Sequence, residues 1–147
     1  MRLLIDTNVF LDVLLNRKDF VDTSKAVLEK AIKEGDNLYL SSSAMTDIYY
    51  VIRKQTKSRE IALAAIKKLI SIVRFAEVNE KCILYAALSS VDDYEDAVVD
   101  RVALNINADY IITRNTKHFK NAHSLILSPQ EYLDLRAKME LYKKDRE

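Results

Sequence analysis

The residues of this chain that could do chemistry are acids set beside apolar segments. Asp6 ends the apolar run Leu3-Leu4-Ile5 and is followed by Thr7, Asn8 and an apolar-periodic stretch. A buried parallel strand delivers its last residue to the carboxyl edge of the sheet, where open α/β folds keep their ligand sites. There Asp6 either caps the next helix, as Asp readily does, or ligates a metal. Asp47 lies in Thr46-Asp47-Ile48-Tyr49-Tyr50, within the first turns of a helix. It either complements the helix dipole or, with Tyr50 and Val51 beside it, faces a site. The densest cluster is Asp92, Asp93, Glu95, Asp96 and Asp100. Asp92 and Asp93 read as a solvated turn. Asp96 and Asp100 are four apart and share a helix face, where like charges are destabilising unless neutralised. A divalent cation, a basic side chain or solvent would serve. Hard cations such as Mg²⁺ take oxygen ligands, typically a few carboxylates with water and phosphate.

Other chemistries are less well supplied. There is no HxxxH or CxxC pair to suggest zinc, and His118 and His123 read as surface residues. Gly35 is the only glycine, which excludes the Gly-rich phosphate loops of P-loop and Rossmann sites. Cys82 is the only cysteine, so no internal disulfide forms, in keeping with a reducing cytoplasm. No apolar run approaches the roughly 20 residues of a membrane span, and no leader precedes the first strand. The formal net charge of +1 leaves any nucleic-acid surface to a local patch.

The elements that must position these acids alternate. Residues 2–6 read as a strand and 7–16 as a helix, with Val9, Phe10, Val13 and Leu14 at helical spacing. A helix over 22–34 stops at Gly35. A strand over 37–40 leads through Ser41-Ser42-Ser43 into a helix reaching residue 55. Residues 59–69 are amphipathic, 72–78 form a strand and 80–88 a helix. A helix from the acidic turn to residue 107 precedes strands at 109–113 and 124–127. Ser128 and Pro129 open a final helix as N-cap and first helical residue. Strands alternating with helices predict a parallel or mostly parallel sheet covered on both faces. The whole chain, 1–147, reads as one domain.

Taken together, these segments resemble the PIN-domain family, which includes the VapC-type toxins of bacterial toxin–antitoxin pairs. The resemblance rests on Leu4-Ile5-Asp6-Thr7-Asn8-Val9, Thr46-Asp47-Ile48-Tyr49-Tyr50 and Tyr94-Glu95-Asp96-Ala97. It continues in Ala108-Asp109-Tyr110-Ile111-Ile112-Thr113-Arg114-Asn115 with Phe119, and in Leu127-Ser128-Pro129-Gln130-Glu131-Tyr132-Leu133. It implies a three-layer α/β/α sandwich, a cluster of acids holding Mg²⁺ or Mn²⁺, and metal-dependent hydrolysis of RNA. Asp6, Asp47 and Asp96 take the catalytic positions, with Asp6 and Asp96 as metal ligands and Asp47, Glu95 or Asp100 as further ones. Asp47 stands where many members have Glu. Asn115 and His118 stand where many members carry acids, which favours one ion over two.

In this reading Asp47 orients or deprotonates the attacking water. Thr7, Asn8, Thr113 and Asn115 contact substrate at the rim, and Lys54, Arg53, Arg114 and Lys117 are candidates for the RNA backbone. Partners would be RNA, a cognate antitoxin and, through an apolar surface between Val27 and Ile72, a second copy of the chain. The competing reading is a weakly active or non-catalytic PIN-like module that binds RNA or a protein. A flavodoxin-like phosphoacceptor would want a Lys after the last strand, which is not evident.

Overall fold

Each residue of β1 (Arg2–Ile5) after Arg2 is apolar, as a strand covered on both faces requires. Leu3 and Ile5 enter one core and Leu4 the other. The computed structural model, which describes residues 1–146, is built around this strand. The sheet has β2 (Asn37–Ser41), β3 (Arg74–Ala76), β4 (Tyr110–Ile112) and β5 (Ile126–Leu127) in the order β3-β2-β1-β4-β5. Every pairing is parallel.

On the Leu3/Ile5 face lie α1 (Thr7–Leu14), α2 (Val21–Lys33), α3 (Ala44–Thr56), α4 (Arg59–Ile72) and α7 (Pro129–Lys144). They contribute Phe10, Val27, Ile48, Leu69 and Tyr132 to that core. The opposite face is covered by α5 (Glu80–Leu88) and α6 (Tyr94–Asn105), through Cys82, Ala86, Ala97 and Val102. The fold is therefore the expected α/β/α sandwich with a parallel sheet.

The ends of elements explain how one glycine suffices. Gly35, at φ 71°, follows α2. Its N–H bonds the Ile32 carbonyl, and the Asp36 N–H bonds that of Ala31. This is the paired closure that a left-handed residue allows. Asn16 and Asn107, both at φ 50°, end α1 and α6 with the same pair of bonds. Asparagine tolerates that conformation better than other side-chain-bearing residues.

Two departures from the sequence expectation have a clear physical reason. The strand expected over 72–78 shrinks to β3, because the apolar stripe of α4 continues through Ile72 and the Val73 N–H still bonds Leu69. A single 3₁₀ turn, Thr116–Phe119, was not anticipated; four residues are too few for a periodic pattern, and only Phe119 is buried.

From β1 the chain moves outward to β2 and β3, then returns past β1 to form β4. The reversal makes β1 and β4 a topological switch point, where a crevice opens at the carboxyl ends of the strands. Asp6 and Thr113 are the residues that leave those two strands there.

Candidate functional site

Asp6 occupies the cap position of α1 with extended backbone, yet its side chain makes no capping hydrogen bond to that helix. Instead it accepts a 2.7 Å hydrogen bond from the Thr113 hydroxyl. The same hydroxyl accepts the Asn115 N–H at 3.0 Å, which folds the loop after β4 back over the strand ends. The main chain adds a tie, the Asp6 N–H bonding the Ile112 carbonyl at 2.9 Å. Burial raises the Asp6 pKa, while Thr113, the Thr7 N–H, Arg114 and His118 hold back the rise.

Asp6 opens into a cleft of about 290 Å³. Its walls carry five carboxylates: Asp6 from the end of β1, Asp47 from α3, and Asp93, Glu95 and Asp96 from the start of α6. Thr7, Asn8, Asn115 and His118 complete the polar rim, with Leu11 and Val51 beneath. Asp47 and Val51 lie one helical turn apart on α3, so both reach the same wall.

Asp93 is more than a solvated turn. Its carboxylate caps α6, accepting the Asp96 N–H at 3.0 Å. The signal available in the sequence was its place three residues before Asp96, the spacing of a cap to its helix. The cap brings negative charge to its neighbours. Burial, then Asp93 and Asp6, push the Asp96 pKa up to about 6. Glu95 is raised by burial and by the charges of Asp47, Asp93 and Asp6. The one nearby partner of opposite tendency is His118, whose Nδ1 lies 3.5 Å from Asp96 Oδ2.

Two residues expected at the site are used elsewhere. Asp100 is fully buried, and its carboxylate accepts the His123 and Ser124 N–H groups and the Tyr85 hydroxyl. It fastens α6 to the segment before β5, away from the cleft. Arg114 gives Nε and Nη2 to Asp12 at 2.7 and 3.0 Å. Asp12 is itself fully buried and accepts a further bond from Ser24 at 2.8 Å. That commits the Arg114 charge to the protein rather than to a phosphate. Arg53 and Lys54 are exposed on α3 and do not line the cleft. Lys117 borders an adjoining cavity of about 350 Å³ with Asp92, Asp93 and His118.

The donor set is all oxygen apart from His118, which suits a hard dication such as Mg²⁺ or Mn²⁺. Among the described residues no three His, Cys, Asp or Glu side chains stand together as a ready-made ligand set. Asp6, Asp96 and a third acid of the cleft are the residues that would hold such an ion.

Comparison with known proteins supports the same fold. A family model described as "PIN domain" matches residues 2–117. Solved structures with this fold include VapBC2 from Rickettsia felis bound to a DNA fragment from their promoter. That match has 17% identity and a TM-score of 0.70, and covers 87% of this chain and 98% of that one. FitAcB from Neisseria gonorrhoeae gives 18% identity, a TM-score of 0.68 and the same two coverages. Mycobacterium tuberculosis VapC20, described as a Sarcin-Ricin loop cleaving toxin, gives 15% identity and a TM-score of 0.59, covering 74% of this chain and 86% of that one. No curated protein sequence matches the chain. With four-fifths of its length matched by that family's model and the acidic cleft at the sheet's switch point, the chain belongs to the PIN domain family.

Proposed function

We propose that this protein is a Mg²⁺- or Mn²⁺-dependent endoribonuclease, working as the toxin of a toxin–antitoxin pair. The observation that carries the reading is the cleft itself: five carboxylates, from β1, α3 and α6, with no Lys or Arg on its walls. So much uncompensated charge repels a phosphodiester unless a cation intervenes. Family membership supports nuclease chemistry. The toxin role is supported by the description of VapC20 as a cleaving toxin and by the VapBC2 fold.

In this reading Asp6 and Asp96 would hold the ion, directly or through water, with Glu95 or Asp47 as a further oxygen donor. Such an ion supplies acidified water and withdraws charge from the phosphoryl oxygens. The chain's own groups do the positioning. Thr113 fixes the orientation of Asp6 through its 2.7 Å bond. Asp47, exposed on α3, orients or deprotonates the attacking water. Thr7, Asn8 and Asn115 offer hydroxyl and amide groups to the ribose and phosphate along the rim. His118, whose Nδ1 lies 3.5 Å from Asp96 Oδ2, would help to orient that carboxylate.

One observation favours the second reading, an RNA- or protein-binding module with weak activity or none. The loop after β4 gives the cleft the amide of Asn115 rather than a carboxylate. The two readings part on one assay, in which a mixed-sequence RNA is incubated with wild type and Asp6→Asn, with Mg²⁺ or Mn²⁺ or with a chelator. The nuclease reading expects cleavage that needs metal and falls by more than about 100-fold in Asp6→Asn. RNA that stays intact while still binding would support the module.

A further inference from the structure

Beside the acidic cleft, and separated from it by one loop, lies a second cavity of about 260 Å³. Its walls are Phe20 and Thr23 from the start of α2, Arg114, and Ser128, Pro129 and Gln130 at the start of α7. Thr113 and Asn115 turn toward the acids, while Arg114, between them, turns to this second cavity. We propose that the cavity is a subsite for an unpaired nucleobase flanking the phosphate at the acidic cleft. The inference rests on the reading of that cleft as an RNA site.

Three features select a base over a phosphate. Phe20 keeps 41% of its surface exposed although it is a large aromatic. The Arg114 guanidinium carbon lies 3.8 Å from the centre of its ring. Arg114 thus covers one face of the ring, and the stacked pair gives the cavity wall planar side chains of the kind on which bases stack regardless of sequence. Second, Arg114 Nε and Nη2, the fork that would grip a phosphate, are already bonded to the fully buried Asp12. The guanidinium is thus left to the cavity wall as a planar group whose bidentate edge is taken. Third, the start of α7 is closed to anions. Ser128 Oγ accepts the Glu131 N–H, and the Glu131 carboxylate accepts the Ser128 N–H. That carboxylate already fills the place where a helix N-terminus would hold a phosphate. Thr23 and the Gln130 amide remain on the rim for the edge of a base.

The sequence has no tryptophan, so Phe20→Trp places a single reporter in the cavity wall. Its fluorescence would be followed, with Ca²⁺ present, against a short unpaired oligoribonucleotide and an abasic ribose-phosphate chain of equal length. Quenching by the oligoribonucleotide and not by the abasic chain is the expected result. Phe20→Ala should raise the KM for RNA cleavage about tenfold with kcat little changed. Equal quenching by both chains, quenching by neither, or an unchanged KM would overturn the subsite. The fluorescence arm needs no turnover. Base-selective quenching by a protein that cuts no RNA would therefore refute the nuclease reading and leave the subsite standing.

Discussion

Thr113, the first residue after β4, donates its hydroxyl to Asp6, the first residue after β1, at 2.7 Å. The bond joins the ends of two neighbouring parallel strands and orients the most buried acid of the cleft. A hydroxyl in that place lowers the cost of keeping Asp6 ionised.

Thr113→Val keeps the shape and removes the donor. The Asp6 pKa should rise further, and Mn²⁺ affinity at pH 6 should fall by about tenfold, the lower end of what lost outer-shell partners cost. Thr113→Ser should restore most of it. Calorimetric titration of the three proteins checks this, and equal affinities would mean that the bond orients nothing that binds the ion.

Asp96 sets a pH dependence. Its folded-state pKa is about 6 against an ordinary 3.8. The folded protein therefore binds more protons than the unfolded chain between those values, and stability falls as pH rises from about 4 to about 6. Glu95 and Asp6 shift in the same direction. In chelator, Asp96→Asn should be more stable than wild type at pH 7.5 by about 1–3 kcal/mol and no more stable at pH 4. Added Mn²⁺ should favour the wild type instead, since an ion that binds only the folded state raises its melting temperature. Thermal melts at the two pH values, with and without Mn²⁺, read both effects.

How much of this was legible in the sequence depends on what each residue's role requires. Asp6 can be placed from a strand that stops on an acid; Asp47 and Asp96 lie near helix starts, and the family resemblance is what marks them out. Backbone period fixes those positions, and the structure brings all three to one cleft. Asp100 shares a helix face with Asp96 but not the cleft: one turn further along α6, about 6 Å, its carboxylate meets the Tyr85 hydroxyl and the His123 and Ser124 N–H groups. Arg114 reads in the sequence as a candidate for the RNA backbone because its partner, Asp12, is 102 residues away. No local pattern announces such a pair. The 3₁₀ turn and the two-residue β5 are too short to carry a period and are fixed by what packs on them.

The Asp12–Arg114 pair should show in stability. Arg114→Met strands a fully buried carboxylate with Ser24 and with Arg17, whose Nη1 is 3.4 Å away. Losing one partner of such a pair costs about 3 kcal/mol, somewhat less here because Arg17 remains. Adding Asp12→Asn should recover part of the loss, since the two residues share one network. Urea unfolding of the two single variants and the double variant measures the coupling; simple additivity would mean the pair contributes nothing as a pair.

Asn115→Asp should change metal handling more than Asn115→Ala. The new carboxylate joins five others in the cleft, so without metal it should destabilise the fold. With metal it should tighten binding or admit a second ion. Stoichiometry and affinity for Mn²⁺, measured on both variants, distinguish these outcomes, and indistinguishable variants would place Asn115 outside the site.

In the proposed site, acids from three separate elements serve one ion. That sharing is tested most directly by titrating Mn²⁺ into wild type, Asp6→Asn, Asp47→Asn, Asp96→Asn and the Asp6→Asn/Asp96→Asn double variant. Asp6→Asn and Asp96→Asn should each lose tenfold or more in affinity, with a smaller loss in Asp47→Asn. The double variant should lose less than the sum of its parts, because both acids act on the same ion. Wild-type affinity in Asp96→Asn, or independent losses that simply add in the double variant, would contradict a shared ion.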